Sequence, residues 1–144
     1  MHSLHHIAIV CSDLERSQAF YREVFGMDVV VDYGASEPYE KRDRLLALQN
    51  VSSRAVLLGN DYLRIELIEF ASPRDESSSP PAINRMGLSH VAVQTEDIDG
   101  DFARLTRLGV PCNSEPIDFG TVRALYARDP DGNTIEWLQI EPSA

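Results

Sequence analysis

The chain has 144 residues, of which 43% are hydrophobic and 25% are charged, and this is the composition of an ordinary globular protein. Its formal net charge is −10, and the densest basic stretch, KRDR at 41–44, is interrupted by an aspartate. A chain of this charge is repelled by nucleic acid and by anionic membranes. We therefore expect neither as a partner, and a small molecule instead.

The N-terminal residues, MHSLHHIAIV, lack the basic start, the long apolar stretch and the cleavage site of a signal peptide. The sequence contains no apolar run near the roughly 20 residues that a membrane-spanning helix needs. We therefore expect a cytoplasmic protein, in which Cys11 and Cys112 do not form a structural disulfide.

Residues 4–10, LHHIAIV, begin with two adjacent histidines and continue as an alternating apolar run, which predicts a strand. Neighbouring side chains of a strand point to opposite faces, so His6 shares a face with Ala8 while His5 shares the other with Ile7. We expect the bulky face to pack on a helix and the face of His6 to line a cavity. His5 is then solvated or on the helix side.

A helix is predicted next, because Asp13 suits its N-cap and Gly26 suits its end. The segment 34–54, which is polar at both ends, follows. A further strand is predicted in YLRIELIEF (62–70), where Glu66 interrupts an apolar run. The Ser- and Pro-rich segment SPRDESSSPPAINR (72–85) predicts a linker.

The second half of the chain repeats the first. LSHVAVQTEDIDGDFARLTRLGV (88–110) again predicts a strand, followed by a helix between Asp97 and Gly109. RDPDGN (128–133) is typical of a hairpin turn before a last strand, NTIEWLQI (133–140). We therefore predict a single domain built of a module 1–71, a linker 72–85 and a module 86–144.

The repeat pairs two histidines and two glutamates. His90 follows His6 by 84 residues, and Glu136 follows Glu66 by 70. The smaller offset assigns an insertion to the first copy, which we place in the segment 34–54. A carboxylate in an apolar strand is costly without a partner, so its recurrence favours convergence of all four side chains in one cavity. The alternatives are histidines satisfied in the core and glutamates on a wet face.

These motifs resemble the vicinal oxygen chelate superfamily, which includes glyoxalase I, methylmalonyl-CoA epimerase, extradiol dioxygenases, and fosfomycin-resistance and bleomycin-binding proteins. The resemblance lies in HIAIVCSDLERSQAFYREVFGM, LRIEL, GLSHVAVQTEDID and YARDPDGNTIEWLQ. It implies an α+β fold of two tandem βαβββ modules that form a cupped, incomplete β-barrel around a divalent metal. The ligands that it implies are His6, Glu66, His90 and Glu136.

The resemblance also implies a function. Imidazole and carboxylate ligands suit Zn, Ni, Co, Mn or Fe, and four of them leave two positions for a substrate. The implied activity is that of a glyoxalase I-type lyase or isomerase, which transfers a proton next to a carbonyl through a metal-stabilised enolate, with Glu136 or Glu66 as base. The alternatives are an Fe(II) extradiol-type dioxygenase acting on a small aromatic, or a non-catalytic protein that binds a drug or metabolite.

Substrate contacts are predicted at four further positions. Arg64 and Gln94 share the cavity face with the ligands, and Arg123 and Tyr126 lie on a predicted strand near the cavity wall, although Arg123 could equally be a surface charge. The histidine-proline-lysine stretch of the acyl-CoA epimerase is absent, since this chain has YARDPDG instead. Many relatives are homodimers, so the site is expected either within one chain or across a module-swapped dimer.

Overall fold

The computed structural model describes residues 1–75 and 82–140, which fall into two compact units, Met1–Ser77 and Ser78–Ala144. Residues 76–81 of the predicted linker lie outside the described residues, and the predicted module boundaries stay a prediction. None of the helices within the described ranges is long and apolar enough to cross a membrane.

The first unit contains one four-stranded sheet and two helices. Its elements in chain order are β1 (Ile7–Val10), α1 (Leu14–Phe25), β2 (Asp28–Ser36), α2 (Glu40–Leu46), β3 (Ser52–Gly59) and β4 (Arg64–Ser72). The strand order is β1-β4-β3-β2, and β1 runs parallel to β4 while the other neighbours are antiparallel. Helix α2 lies within the segment that the sequence marks as an insertion.

The second unit has the same topology without the inserted helix. Its elements are β5 (Val91–Gln94), α3 (Ile98–Arg107), β6 (Ile117–Asp118), β7 (Val122–Arg128) and β8 (Thr134–Ile140). The strand order is β5-β8-β7-β6, and β5 runs parallel to β8. The predicted α+β class and the two βαβββ modules are therefore confirmed. Arrangement of the modules as a cup around one metal stays a prediction.

The predicted ends of helices α1 and α3 are confirmed. The carboxylates of Asp13 and Asp97 each accept a main-chain N–H of the first turn at 2.9 Å. Gly26, with φ of 59°, and Gly109, with φ of 72°, lie just after the last turns in the left-handed region that glycine favours. Local sequence signals therefore set where the helix that follows the first strand of each module begins and ends.

Helices α1 and α3 each pack against one face of their sheet, α1 against β3 and β4, and α3 against β7 and β8. In β4, Ile65 and Leu67 are buried, and Glu66 between them is partly exposed. In β8, Glu136 likewise lies between buried neighbours. Burying an aliphatic side chain of this size stabilises the fold by about 1.5–3 kcal/mol, so the apolar residues fix which way the strand faces. Both glutamates consequently point away from the helix.

Replacing Asp13 or Asp97 with Ala is expected to lower the free energy of unfolding by about 1 kcal/mol, because a first-turn N–H loses its acceptor. The matched controls are the Asn variants, since Asn is as good an N-cap as Asp. Urea unfolding followed by circular dichroism measures the difference. Equal loss in the Ala and Asn variants would contradict a capping role.

Candidate metal centre

His6 and Glu66 lie side by side in the first unit. His6 immediately precedes β1, and the parallel pairing of β1 with β4 sets Ala8 beside Glu66. His6 Nε2 lies 3.2 Å from Glu66 Oε2, with 34% of the histidine side chain and 22% of the glutamate side chain exposed. This His–Glu pair is therefore formed within one unit and can be reached from solvent.

His90 and Glu136 form the equivalent pair in the second unit. His90 immediately precedes β5, and Ala92 of β5 pairs with Glu136 of β8. His90 Nε2 lies 3.1 Å from Glu136 Oε2. The same two chemical groups thus meet at matched positions with nearly the same separation.

Each pair supplies one imidazole nitrogen and one carboxylate oxygen, which are ligands of first-row divalent metals. Among the residues that the structure describes, no group of three or more His, Cys, Asp or Glu side chains is arranged so that it could hold a metal ion. Two ligands are fewer than the three or four that protein metal sites use. Convergence of both pairs on one ion, which the sequence predicts, stays a prediction.

Tyr126 contacts both members of the second pair. It is the ladder partner of Glu136 on β7, and its ring centroid lies 5.4 Å from that of His90. Burial raises the pKa of Tyr126, and the hydrogen bond to the Glu136 carboxylate raises it further. In the first unit the buried Leu57 takes the ladder position opposite Glu66. The carboxylates therefore differ in their surroundings, which sequence reasoning missed because it assigned Tyr126 to the substrate.

The other nitrogen of each histidine also has a neighbour. His5 Nδ1 lies 2.7 Å from His6 Nδ1, and Ser89 Oγ lies 2.7 Å from His90 Nδ1. His5 is exposed, as expected, but it also contacts His6. Strand alternation does not separate the two rings because both residues precede β1. The sequence carried no signal for these contacts, because they depend on how each ring rotates rather than on spacing.

The remaining predicted substrate residues are Arg64, Gln94 and Arg123. Arg64 is exposed at the start of β4, and Gln94 is exposed at the end of β5. Arg123 forms a bidentate ion pair with Asp99 in the first turn of α3, with both N···O distances at 2.7 Å. The hydrogen bonds from Arg123 hold the pKa of Asp99 below its usual value. Substrate roles for Arg64, Gln94 and Arg123 stay predictions.

Comparisons with known proteins place the chain among relatives of this fold. A model of the Glyoxalase/Bleomycin resistance protein/Dioxygenase superfamily matches residues 3–137. Uncharacterized protein YaeR of Escherichia coli (strain K12) is 34% identical over 135 residues, which are 92% of each chain. A glyoxalase family protein from Bacillus cereus has a similar structure, with a TM-score of 0.82, 24% identity, and coverage of 97% of this chain and 95% of that one.

A more distant structural match is the genomically encoded fosfomycin resistance protein FosX from Listeria monocytogenes, solved in complex with Mn(II) and a sulfate ion. Its TM-score is 0.64 at 21% identity, and the match covers 99% of this chain and 95% of that one. At this identity the match supports the fold alone.

The ion pair of Arg123 with Asp99 predicts a pH-dependent contribution to stability. A carboxyl whose pKa is lowered by folding stabilises the protein above its unfolded pKa of about 3.9, and this contribution is lost as the pH falls through the lower folded value. A double-mutant cycle of Arg123→Gln and Asp99→Asn is therefore expected to give favourable coupling at pH 7 that disappears in acid. Coupling that stays unchanged from neutral pH to a pH at which the Asp99 carboxyl is protonated would contradict the assignment.

Proposed function

The chain belongs to the Glyoxalase/Bleomycin resistance protein/Dioxygenase superfamily, and we propose that it is a divalent-metal-dependent lyase or isomerase of the glyoxalase I type, which transfers a proton next to a carbonyl group. The superfamily includes glyoxalase I, fosfomycin resistance enzymes and dioxygenases. The observation that carries the proposal is the repeated His–Glu pair, with nitrogen–oxygen distances of 3.2 Å and 3.1 Å.

The donor set fits a divalent first-row ion. Two neutral imidazoles and two carboxylates balance its charge, and the residues that would hold it are His6, Glu66, His90 and Glu136. In each pair Nε2 faces the carboxylate, while Nδ1 is occupied by a neighbouring side chain. A bound ion acts as a Lewis acid that stabilises negative charge developing on a substrate oxygen. Mn(II) is a suitable first probe because the related FosX structure contains it.

A carboxylate of the site, that of Glu136 or of Glu66, removes the proton from carbon and returns it. The pairs are partly exposed, so a small substrate can reach them. One oxygen of Glu136 accepts a hydrogen bond from Tyr126, whereas Glu66 faces Leu57 across its ladder. The two glutamates therefore have different neighbours, and their contributions to turnover can be separated by substitution.

The substrate proposed for this site is a small molecule with two adjacent oxygens. Tyr126 is the proposed substrate residue that lies against a His–Glu pair, and Arg64 and Gln94 are the polar groups proposed to bind the remainder of the molecule. Arg123 is assigned this role only if its ion pair with Asp99 opens. We also propose a homodimer, with the four ligands drawn from one chain or from exchanged modules of two.

Removal of either imidazole is expected to weaken metal binding strongly, because each histidine is one of only four proposed ligands. Protein purified without a metal-affinity tag is stripped with a chelator and titrated with Mn(II) by calorimetry. Wild-type protein is expected to bind one ion per chain, whether the four ligands come from one chain or from exchanged modules of two. His6→Ala and His90→Ala are each expected to lower the affinity more than about 100-fold, which exceeds the effect of removing an outer-shell partner.

The control for this titration is His2→Ala, which removes an exposed histidine near the same terminus. Wild-type affinity in His6→Ala or in His90→Ala would exclude that residue as a ligand. Equal loss in all three variants would indicate an indirect effect.

Replacing the catalytic carboxylate with its amide is expected to lower turnover by about 10²–10⁴-fold, the usual contribution of a general base. Glu136→Gln and Glu66→Gln are assayed with 2-oxoaldehyde–thiol adducts, acyl-CoA esters and catechols in the presence of defined metals. The amide oxygen can still coordinate, so metal content is measured in parallel. The variant that keeps its metal and loses turnover identifies the base.

The exposed Glu96→Gln is the matched control and is expected to keep full turnover. Full activity in both amide variants would show that neither glutamate is the base. Oxygen uptake with a catechol and Fe(II) would assign the protein to the dioxygenases instead. Stoichiometric binding of a ligand that is recovered unchanged would assign it to the binding proteins.

A further inference from the structure

Both ligand histidines contact the residue directly before them in the chain. The Nδ1 atoms of His5 and His6 are 2.7 Å apart, and Ser89 Oγ is 2.7 Å from His90 Nδ1. His5 and Ser89 are themselves 84 residues apart, the same offset as the histidines that they contact. A contact to Nδ1 therefore occurs at matched positions of the two units, although the two residues that make it differ chemically.

Local geometry explains how consecutive residues meet. His5 and His6 precede β1, and Ser89 and His90 precede β5. Because none of the four lies within a strand, consecutive side chains need not point to opposite faces. The ring of His5 meets that of His6 edge-on, with centroids 5.0 Å apart and planes at 83°. This orientation directs one ring nitrogen at the other.

The chemistry of imidazole gives these contacts a consequence. A neutral imidazole carries one N–H and one lone pair, and only the nitrogen with the lone pair can bind a metal. In both pairs Nε2 faces a carboxylate oxygen, at 3.2 Å and 3.1 Å. That carboxylate would favour the proton on Nε2, which removes the lone pair. An acceptor beside Nδ1 opposes this by favouring the proton on Nδ1.

We propose that His5 and Ser89 are positioning residues that accept the Nδ1–H of His6 and of His90, and so keep each Nε2 as the electron-pair donor. The hydroxyl oxygen of Ser89 has a lone pair for this bond, and so does Nδ1 of a neutral His5 that carries its proton on Nε2. Each bond also fixes the rotation of the ring about its Cβ–Cγ bond. The significance for metal binding rests on the proposed function, whereas the choice of tautomer does not.

The tautomers are measured directly in the full-length, metal-free chain labelled with ¹⁵N, by two-bond ¹H–¹⁵N correlation spectra of the histidine rings at a pH where imidazole is neutral. His5→Ala is expected to shift His6 toward the tautomer protonated on Nε2 and to leave His90 unchanged. Ser89→Ala is expected to do the reverse. Each variant thereby serves as the control for the other.

Conservative variants separate positioning from packing. Ser89→Thr keeps a hydroxyl and His5→Asn keeps a short acceptor, so both are expected to restore the wild-type tautomer. In Mn(II) titrations the Ala variants are expected to bind about 10–100-fold more weakly, the usual effect of losing an outer-shell partner, and the conservative variants to recover. If His5 and Ser89 had a purely structural role, the tautomer populations would be the same in the wild type and in the Ala variants. The conservative variants would then have nothing to restore.

Unchanged tautomer populations in both folded Ala variants, checked by circular dichroism, would overturn the proposal even if metal affinity fell. The proposed function and the proposed positioning role can fail independently. If wild-type protein binds no Mn(II) or other first-row ion, the proposed function fails. The tautomer spectra would still decide whether His5 and Ser89 position the two rings.

Discussion

Parallel pairing between the first and last strands of each unit is the constraint on which the candidate site depends. It sets Ala8 beside Glu66 and Ala92 beside Glu136, and it thereby holds the histidine just before each strand next to a carboxylate. Parallel neighbours cannot be joined by a tight turn, so the helices and strands that lie between them in each unit form the connection that the pairing requires. The core of each module and its two candidate ligands are consequently products of one arrangement.

Duplication repeats this arrangement without making its two copies equivalent. Tyr126 stands across the ladder from Glu136, where the first unit has Leu57 opposite Glu66. His5 stands where the second unit has Ser89. The two His–Glu pairs thus have the same residue types and the same strand pairing, and they differ in the side chains around them.

Much of the fold could be predicted because its signals are local. Asp13 and Asp97 cap the helices as predicted, since an N-cap bonds only within its own first turn. Helix α2 was not predicted as a helix. Its seven residues include no buried side chain and its N-cap residue, Tyr39, makes no side-chain capping bond. The loop that follows it is tied to the helix by Asp43, whose carboxylate accepts the main-chain N–H of residue 50 at 2.7 Å.

By itself, the sequence determined the two-module plan and the four residues of the His–Glu pairs, because repeat offsets and alternating burial depend on neighbours along the chain. Only the tertiary structure decided which groups surround those residues. It put His5 against His6, Tyr126 against His90, and Arg123 in an ion pair with Asp99. Contacts of this kind depend on side-chain rotation and on the pairing of distant strands, which periodicity in a sequence does not encode.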